Sequence, residues 1–312
     1  SGLPSGLSLD PSTGIISGEV AFTGTYNIEL TATNTGGKRY ATLVLSPSQP
    51  VSSTADTGPG SLRDKIAAMP AGATISFASS FSIELNSPLI ISKNLTIDAS
   101  DIPSGVVISG KELVRVMEIS PDVEVTLKGI IIANGNAGDI EYGGGILNNG
   151  ILTLVDVILD NNTARLGGAL FNSDIGTLTV LTSTLSNNNA QWGGAISNNG
   201  DLTMADSILF DNLAGSEGGA IYNVYSMILT NTTVTGNEAQ YGGGLANKSS
   251  ATIIHSTFAD NNGIGTSGGI DNYSASANLI VENSIIANNT SGSANNIGNY
   301  DGSITFNGNN LL

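Results

Sequence analysis

The chain has 312 residues, a formal net charge of −16 and no cysteine, and only 12% of its residues are charged. That charged share is about half the usual value for a soluble domain. The acidic balance excludes the Lys/Arg footprint that nucleic acid binding requires, and the lack of cysteine excludes disulfides and thiol chemistry. The sequence contains no apolar run of the roughly 18–20 residues that a membrane-spanning helix needs, so we expect no membrane-spanning segment.

Residues 1–46 are predicted to form a small antiparallel β module. In the segments 14–18 and 24–34, apolar and polar residues alternate, and glycines stand at segment ends. This pattern is typical of strands joined by tight turns. The module starts without its first strands, so we expect the chain to be a fragment of a longer polypeptide. The sequence Ser46-Pro47-Ser48-Gln49-Pro50 predicts a stiff linker, which we place at 47–60.

One helix is predicted, over residues 61–69. Ser61 is a suitable N-cap, and Leu62, Ile66 and Met69 fall on one face at helical spacing. A solenoid must have its open end covered, so this helix is expected to cap the segment that follows, 61–312.

A six-residue phrase with paired glycines and a final Asn recurs through the second half. It occupies 143–148, 167–172, 193–198, 218–223, 242–247 and 267–272. The closing residues, spaced 24, 26, 25, 24 and 25 apart, are Asn148, Asn172, Asn198, Asn223, Asn247 and Asn272. In a stacked solenoid these Asn side chains would point inward and hydrogen-bond to one another as a structural ladder.

A second phrase lies between copies of the first: an apolar residue, another five later, and Asn three after that, as in Leu154, Leu159 and Asn162. Short segments between these landmarks alternate apolar and polar residues. A period of about 25 residues with strands, Gly/Asn turns and no helix predicts an all-β, right-handed single-stranded parallel β-helix. Less regular coils are predicted upstream, with strands at 95–97, 106–108, 114–116 and 123–127.

Three stretches resemble known families. The segments 3–10, 14–18 and 24–26 resemble Ig-like (cadherin-like) modules of bacterial surface proteins, and 56–66 resembles the segment that opens many secreted β-helices of the pectin-lyase-like superfamily. The Gly-Gly-Ala-Ile phrases at 193 and 218, with Phe258-Ala259-Asp260-Asn261, are similar to polymorphic outer membrane protein and adhesin repeats. These resemblances imply an extracellular or cell-surface protein of a bacterium or archaeon, usually with an adhesive function.

Catalytic residues are sparse. Lyases of the pectin-lyase-like shape use an Arg or Lys with Ca²⁺-binding acids, for which Arg165 with Asp139, Glu141, Asp160 and Glu217 is the candidate set. Paired carboxylates for hydrolysis would be Asp156 with Asp206, or Asp211 with Asp260. His255 occupies the repeat position of Asp156, and such a variable polar position favours a structural role. We expect these residues to be turn residues, and Ca²⁺ to be the one candidate cofactor.

A row of residues precedes the glycine pairs at one corner of the coil: Tyr142, Leu166, Trp192, Glu217 and Tyr241. Its aromatic members, Tyr142, Trp192 and Tyr241, would offer stacking surfaces for a glycan or a protein partner, or would cover the glycine bends of their own coils. We therefore expect a non-catalytic adhesin or scaffold that binds a glycan or a surface protein of another cell. The alternative is a carbohydrate-active β-helix, either polysaccharide-binding or a lyase.

Overall fold

A computed structural model describes residues 3, 6–18, 26–45, 50–138 and 141–312. The chain divides into two compact units, Ser1–Pro50 and Val51–Leu312. Residue 46 of the expected β module, residues 47–49 of the expected linker, the expected strand start at 24–25 and the candidate acid Asp139 lie outside the described residues. Residues 51–60, also placed in the linker, belong to the second unit, where Val51 pairs with Phe77 and is fully buried.

In its described residues, the first unit contains two antiparallel strand pairs. The pairs are β1 (Leu7–Leu9) with β2 (Ile16–Gly18), and β3 (Tyr26–Asn34) with β4 (Gly37–Leu45). The second pair is a hairpin in which Asn34 faces Gly37, and Gly37 takes the positive φ of 124° that glycine adopts without steric cost. Ile28 is the buried apolar side chain on β3.

The single helix of the described residues, α1 (Leu62–Ala68), begins the second unit. The Ser61 hydroxyl accepts the backbone N–H of Asp64 at 3.2 Å, as an N-cap should. Leu62 and Ile66 are buried in the same apolar cluster as the first coils, so the apolar face of the helix covers the end of the coil stack.

An ion pair fixes the segment that leads into this helix. The Arg63 guanidinium donates to Asp56 Oδ1 from Nη2 at 2.6 Å and from Nε at 3.1 Å, and to the Pro88 carbonyl at 2.8 Å. Burial opposes ionisation of Asp56, but hydrogen bonds from Arg63 and Asn86 outweigh it and hold the pKa of this carboxyl below its usual value.

The rest of the second unit is a parallel β-solenoid of about nine turns with roughly 25 residues per coil, which confirms the predicted fold class. Each regular coil contributes one strand to each of four sheets, in the order I, II, III and IV along the chain. Sheet I contains β5 (Ala73–Ile75), β8 (Leu95–Asp98), β11 (Glu124–Lys128), β14 (Ile151–Val155), β18 (Thr177–Leu181), β22 (Asp201–Ala205), β26 (Ser226–Thr230), β30 (Ser250–Ile254), β34 (Asn278–Glu282) and β38 (Ser303–Asn307). Sheet II contains β6 (Ser82–Glu84), β9 (Val106–Ser109), β12 (Ile130–Ala133), β15 (Ile158–Asp160), β19 (Thr184–Ser186), β23 (Ile208–Phe210), β27 (Thr233–Thr235), β31 (Thr257–Ala259) and β35 (Ile285–Ala287).

Sheet III is shorter because the first coils lack it. It contains β16 (Thr163–Leu166), β20 (Asn189–Trp192), β24 (Leu213–Glu217), β28 (Glu238–Tyr241), β32 (Asn262–Gly263) and β36 (Thr290–Ser291). Sheet IV closes each coil and contains β7 (Leu89–Ile91), β10 (Met117–Ile119), β13 (Ile146–Asn148), β17 (Leu170–Asn172), β21 (Ile196–Asn198), β25 (Ile221–Asn223), β29 (Leu245–Asn247), β33 (Ile270–Asn272) and β37 (Ile297–Asn299).

The expected strand at 114–116 is wrong, since the strand of that coil is β10, three residues later. Lys111 and Glu112 take positive φ angles of 57° and 59°, so the chain turns just before this segment. Arg115 is held outside the sheet because its guanidinium donates to the carbonyl oxygens of Tyr142 and Gly143. The hydrogen bonds of Arg115, rather than the strand preference of Val114 and Val116, therefore determine the local backbone conformation.

Apolar side chains fill the interior of every coil. In β14 the alternation places Leu152 and Leu154 inside with no exposed surface, and Phe258 is the largest fully buried side chain. Equivalent residues repeat at the interstrand distance of roughly 4.8 Å. Burial of each such side chain stabilises the folded state by about 1.5–3 kcal/mol. Because these side chains are buried only when neighbouring coils cover them, the stability comes from the stacking of coils and not from any coil alone.

The repeated Asn residues of sheet IV lie inside the solenoid and are fully buried. The Nδ2 of Asn148 donates to Asn172 Oδ1, that of Asn172 to Asn198, and that of Asn198 to Asn223, each at 2.8 Å. The same bonds continue through Asn247 and Asn272. Each amide also donates to a neighbouring backbone carbonyl, so buried polar groups are satisfied across the coils.

A second Asn ladder, which the sequence analysis did not anticipate, runs between sheets II and III. Its members are Asn162, Asn188, Asn212, Asn237, Asn261 and Asn289, all buried. The Oδ1 of Asn212 accepts both the backbone N–H and the Nδ2 of Asn188, at 3.0 and 2.9 Å. These residues are the Asn that ends the second repeated phrase. The sequence pattern predicted that this Asn lies in a turn, but not that its side chain is buried in a ladder.

Candidate functional site

Three corners of each regular coil are made by a residue with positive φ. At the corner between sheets I and II the residues include Asp156 (54°), Thr182 (48°), Asp206 (52°) and His255 (49°). Asp211 and Asp260 occupy the next corner, each with a positive φ. Asn, Asp and Gly tolerate this conformation best, so the candidate acid pairs and the histidine have a backbone role that accounts for their positions.

The acids proposed to act with Arg165 are engaged elsewhere. Glu141 pairs with Arg115 at 3.4 Å, Glu217 pairs with Lys248 at 3.1 Å, and Asp160 accepts the Ser186 hydroxyl at 2.6 Å. The structure therefore does not assemble the Arg165 cluster from these three acids. Among the described residues, no three His, Asp or Glu side chains come together as ligands for a metal ion.

The corner row occupies one file of sheet III and its edge. Tyr142 pairs with Leu166, Leu166 with Trp192, Trp192 with Glu217, and Glu217 with Tyr241. Because leucine and glutamate alternate with the aromatic residues, Tyr142, Trp192 and Tyr241 lie two coils apart, roughly 10 Å. The structure thus provides separate aromatic positions and not one continuous platform.

The three rings have different surroundings. Tyr142 stacks on Phe171 of the next coil, with ring centroids 4.8 Å apart, and is 38% exposed. Trp192 is half-buried, and the Arg165 guanidinium carbon lies 5.4 Å from its ring centroid. Tyr241 is 38% exposed. Tyr142 therefore covers sheet IV, while Trp192 carries an exposed cation on its ring.

A shallow recess of about 470 Å³ lies on the outer face of sheet III beside Trp192. Its wall contains Arg165 and Gln191 next to the indole ring, and Thr163 and Asn189 along the neighbouring file. Ala164 and Ala190 face the core side of the same strands and are buried. Leu213, which is 43% exposed, also lines the recess, so its outward residues are polar, cationic, aromatic and, at this one position, aliphatic.

A β-bulge shapes this recess. β24 is one residue longer than β20. Ala190 pairs with Ala214 and Trp192 pairs with Glu217, so two residues of β24 lie opposite the single residue Gln191. Gly215 lies in the bulge, and a Cβ placed there would come within 2.9 Å of Gln191 Oε1. The side chain of Gln191 therefore lies over a glycine, which opens the recess above Trp192.

A cationic cluster lies on the outside of sheet IV, two coils further on. Lys248 Nζ lies 4.9 Å from the Tyr222 ring centroid, 4.8 Å from that of Tyr273, and 3.1 Å from Glu217 Oε2. The Tyr273 hydroxyl also donates to Glu217. Burial opposes the charge of Lys248, but hydrogen bonds with Tyr222 and Glu217 prevail and raise its pKa.

Asp271 lies next to this cluster and is almost fully buried. Burial raises the pKa of its carboxyl, and the negative charge of Glu217 adds to the effect. Hydrogen bonds from Thr266 and Ser267 at 3.1 and 3.2 Å act in the opposite direction. Phe171, Tyr222 and Asp271 were not predicted as functional residues, although each directly precedes a ladder Asn at the outward position of sheet IV.

The comparisons with known proteins concern the first unit. Residues 1–48 match the family described as Putative Ig domain, which confirms the expected Ig-like module. No curated protein matches the chain. Within the described residues, no helix has the length and apolar character needed to cross a membrane. The chain thus combines an Ig-like module with a parallel β-solenoid.

Proposed function

We propose that this chain is part of a non-catalytic adhesin or scaffold at the cell surface of a bacterium or archaeon. The observation that carries the proposal is a recess on a regular frame: Trp192 and Arg165 line the recess, while two Asn ladders connect the coils beneath them. The Ig-like match at 1–48 supports a modular extracellular protein. The partner would be a glycan or a surface protein of another cell.

The second candidate is a carbohydrate-active β-helix related to the pectin-lyase-like superfamily. It is favoured by Arg165, which forms no ion pair with a carboxylate of the described residues and lies in the wall of the recess. An Arg side chain stays protonated in proteins, which suits binding of an anion better than proton abstraction. Recognition without cleavage is therefore the function that we favour.

One experiment on the full chain distinguishes a protein that only binds polysaccharides from one that cleaves them. Electrophoresis through gels that contain individual soluble polysaccharides measures binding as retardation, and size-exclusion chromatography of the same polysaccharides after incubation measures cleavage. We expect retardation by at least one polysaccharide, a loss of that retardation in Trp192→Ala, and unchanged polymer length. Shortened polymers would contradict the non-catalytic assignment, and failure to bind both polysaccharides and a panel of extracellular proteins would contradict recognition.

A further inference from the structure

We propose that the recess beside Trp192 binds a saccharide that carries a single oxyanion, a carboxylate or a sulfate, on an otherwise neutral glycan. This inference rests on the proposed recognition function and specifies the ligand chemistry of one site. The recess is lined by residues of β16, β20 and β24 and spans three consecutive coils.

The volume and the lining fit a sugar ring. A recess of about 470 Å³ falls within the roughly 300–1,000 Å³ of ligand pockets. The indole ring of Trp192 supplies a flat apolar surface, and Thr163, Asn189 and Gln191 supply hydroxyl and amide groups that both donate and accept hydrogen bonds. A saccharide presents the same combination, with apolar C–H faces and a rim of hydroxyl groups.

Arg165 specifies the charge of the ligand. It is exposed, and the other two arginines of the solenoid are neutralised, Arg63 by Asp56 and Arg115 by Glu118 and Glu141. Within the described part of the chain no carboxylate forms an ion pair with Arg165, so its guanidinium can donate to a ligand oxyanion. The Arg165 guanidinium carbon lies 5.4 Å from the centroid of the Trp192 ring. Stacking on this ring restricts the positions that the guanidinium takes.

The protein's own charge limits how many anionic groups the ligand carries. The net charge of −16 repels a polyanion at separations shorter than the Debye length, beyond which salt screens the repulsion. Glu217 pairs with Trp192 on the neighbouring strand, and Glu238 lies two strands from Asn189 in the same file, so two carboxylates lie on one side of the recess. One oxyanion on a neutral chain gains the contact with Arg165 without bringing further charges close to these carboxylates.

Gly215 leaves the space above Gln191 open. A similar glycine recurs two coils further on, where a Cβ at Gly265 would come within 3.0 Å of Gln240 Nε2 and of Tyr241 Cε1. The recess beside Trp192 differs by the Arg165 guanidinium next to its aromatic ring. A Cβ at 215 would lie only 2.9 Å from Gln191 Oε1, so the flexible end of the Gln191 side chain would have to move. Gly215→Val is therefore expected to weaken binding, because it changes the wall of the recess.

The test uses the only tryptophan of the chain as its reporter, since Trp192 lies in the recess. The full chain is titrated with sialyllactose, lactose 6′-sulfate, lactose and polygalacturonate while Trp fluorescence and the heat of binding are recorded. The variants are Arg165→Gln, Arg165→Lys and Gly215→Val. Tyr225→Ala is the control, because Tyr225 is 54% exposed and lies outside the strands of sheet III.

We expect at least one of the two singly charged sugars to bind at least tenfold more tightly than lactose and polygalacturonate. Arg165→Gln should abolish that preference, Arg165→Lys should weaken binding several-fold, and Tyr225→Ala should have no effect. Equal binding of lactose, or tighter binding of polygalacturonate, would overturn the inference on charge. If the acidic sugars fail while another glycan or protein binds the chain, the inference fails and the proposed function stands; if nothing binds, both fail.

Discussion

Removal of one buried Asn from the second ladder should destabilise the solenoid more than removal of a typical polar side chain. Asn212 is 1% exposed, and its Nδ2 donates to the Leu185 carbonyl at 3.0 Å and to Asn237 Oδ1 at 2.9 Å. Its Oδ1 accepts the backbone N–H and the Nδ2 of Asn188. The change Asn212→Ala therefore removes contacts to the coil on each side.

The magnitude follows from what remains unpaired. The backbone N–H of Asn188 loses its acceptor inside the protein, and a buried unsatisfied group costs about 1–3 kcal/mol. The other lost hydrogen bonds contribute a net value of about 1 kcal/mol each. With the three other hydrogen bonds added, we expect Asn212→Ala to lower the free energy of unfolding by about 4–6 kcal/mol.

Urea unfolding followed by circular dichroism measures this loss, and hydrogen exchange of the Asn188 amide reports it locally. The control is Asn296→Ala. Asn296 accepts the same two groups from Asn289, at 3.3 and 3.1 Å, but is half-exposed, so water can replace it. We expect the control to lose less than about 1 kcal/mol. Equal losses for the two variants, or unchanged exchange at Asn188, would refute the reasoning.

Three further predictions concern a corner, a buried acid and the cap. Thr182→Asn should raise the free energy of unfolding by about 1 kcal/mol, because a β-branched residue is strained at a φ of 48°; the same change at Thr184, within β19, should give no gain in urea unfolding. Because burial raises the pKa of Asp271, its contribution to stability is present at low pH and is lost as pH rises through the raised pKa. Asp271→Asn should therefore gain stability relative to the unmodified chain between about pH 3.5 and pH 7, and a constant or falling difference in thermal unfolding would contradict this. Leu62→Ala should cost about 2–5 kcal/mol and should accelerate hydrogen exchange mainly in the first coil, since coils contact only their neighbours; uniform acceleration along the solenoid would contradict a capping role.

The repeats made most of the fold predictable. A fixed period with Gly and Asn at set positions leaves few architectures open, and the parallel solenoid follows from it. The early coils were harder, because their turns depend on single polar contacts. The hydrogen bonds of Arg115 to the carbonyl oxygens of Tyr142 and Gly143 replace a strand that two valines suggested.

The candidate site was predicted only in part. The register confirms that Trp192 and the other corner residues share one file, but sequence alone did not reveal the recess. That recess depends on a bulge at Gly215 and on the position of Gln191 above it. A glycine in a repeat reads as one more turn residue, so the space that it leaves becomes apparent only when neighbouring coils are stacked.

The most direct test of recognition by the solenoid is an array of glycans and extracellular proteins, probed with the full chain and with Trp192→Ala, in the presence and absence of Ca²⁺. We expect the unmodified chain to bind a restricted set of array members and the variant to lose them, with thermal unfolding of the two proteins alike. An array on which the two proteins behave identically, or on which neither binds, would contradict a recognition surface at Trp192.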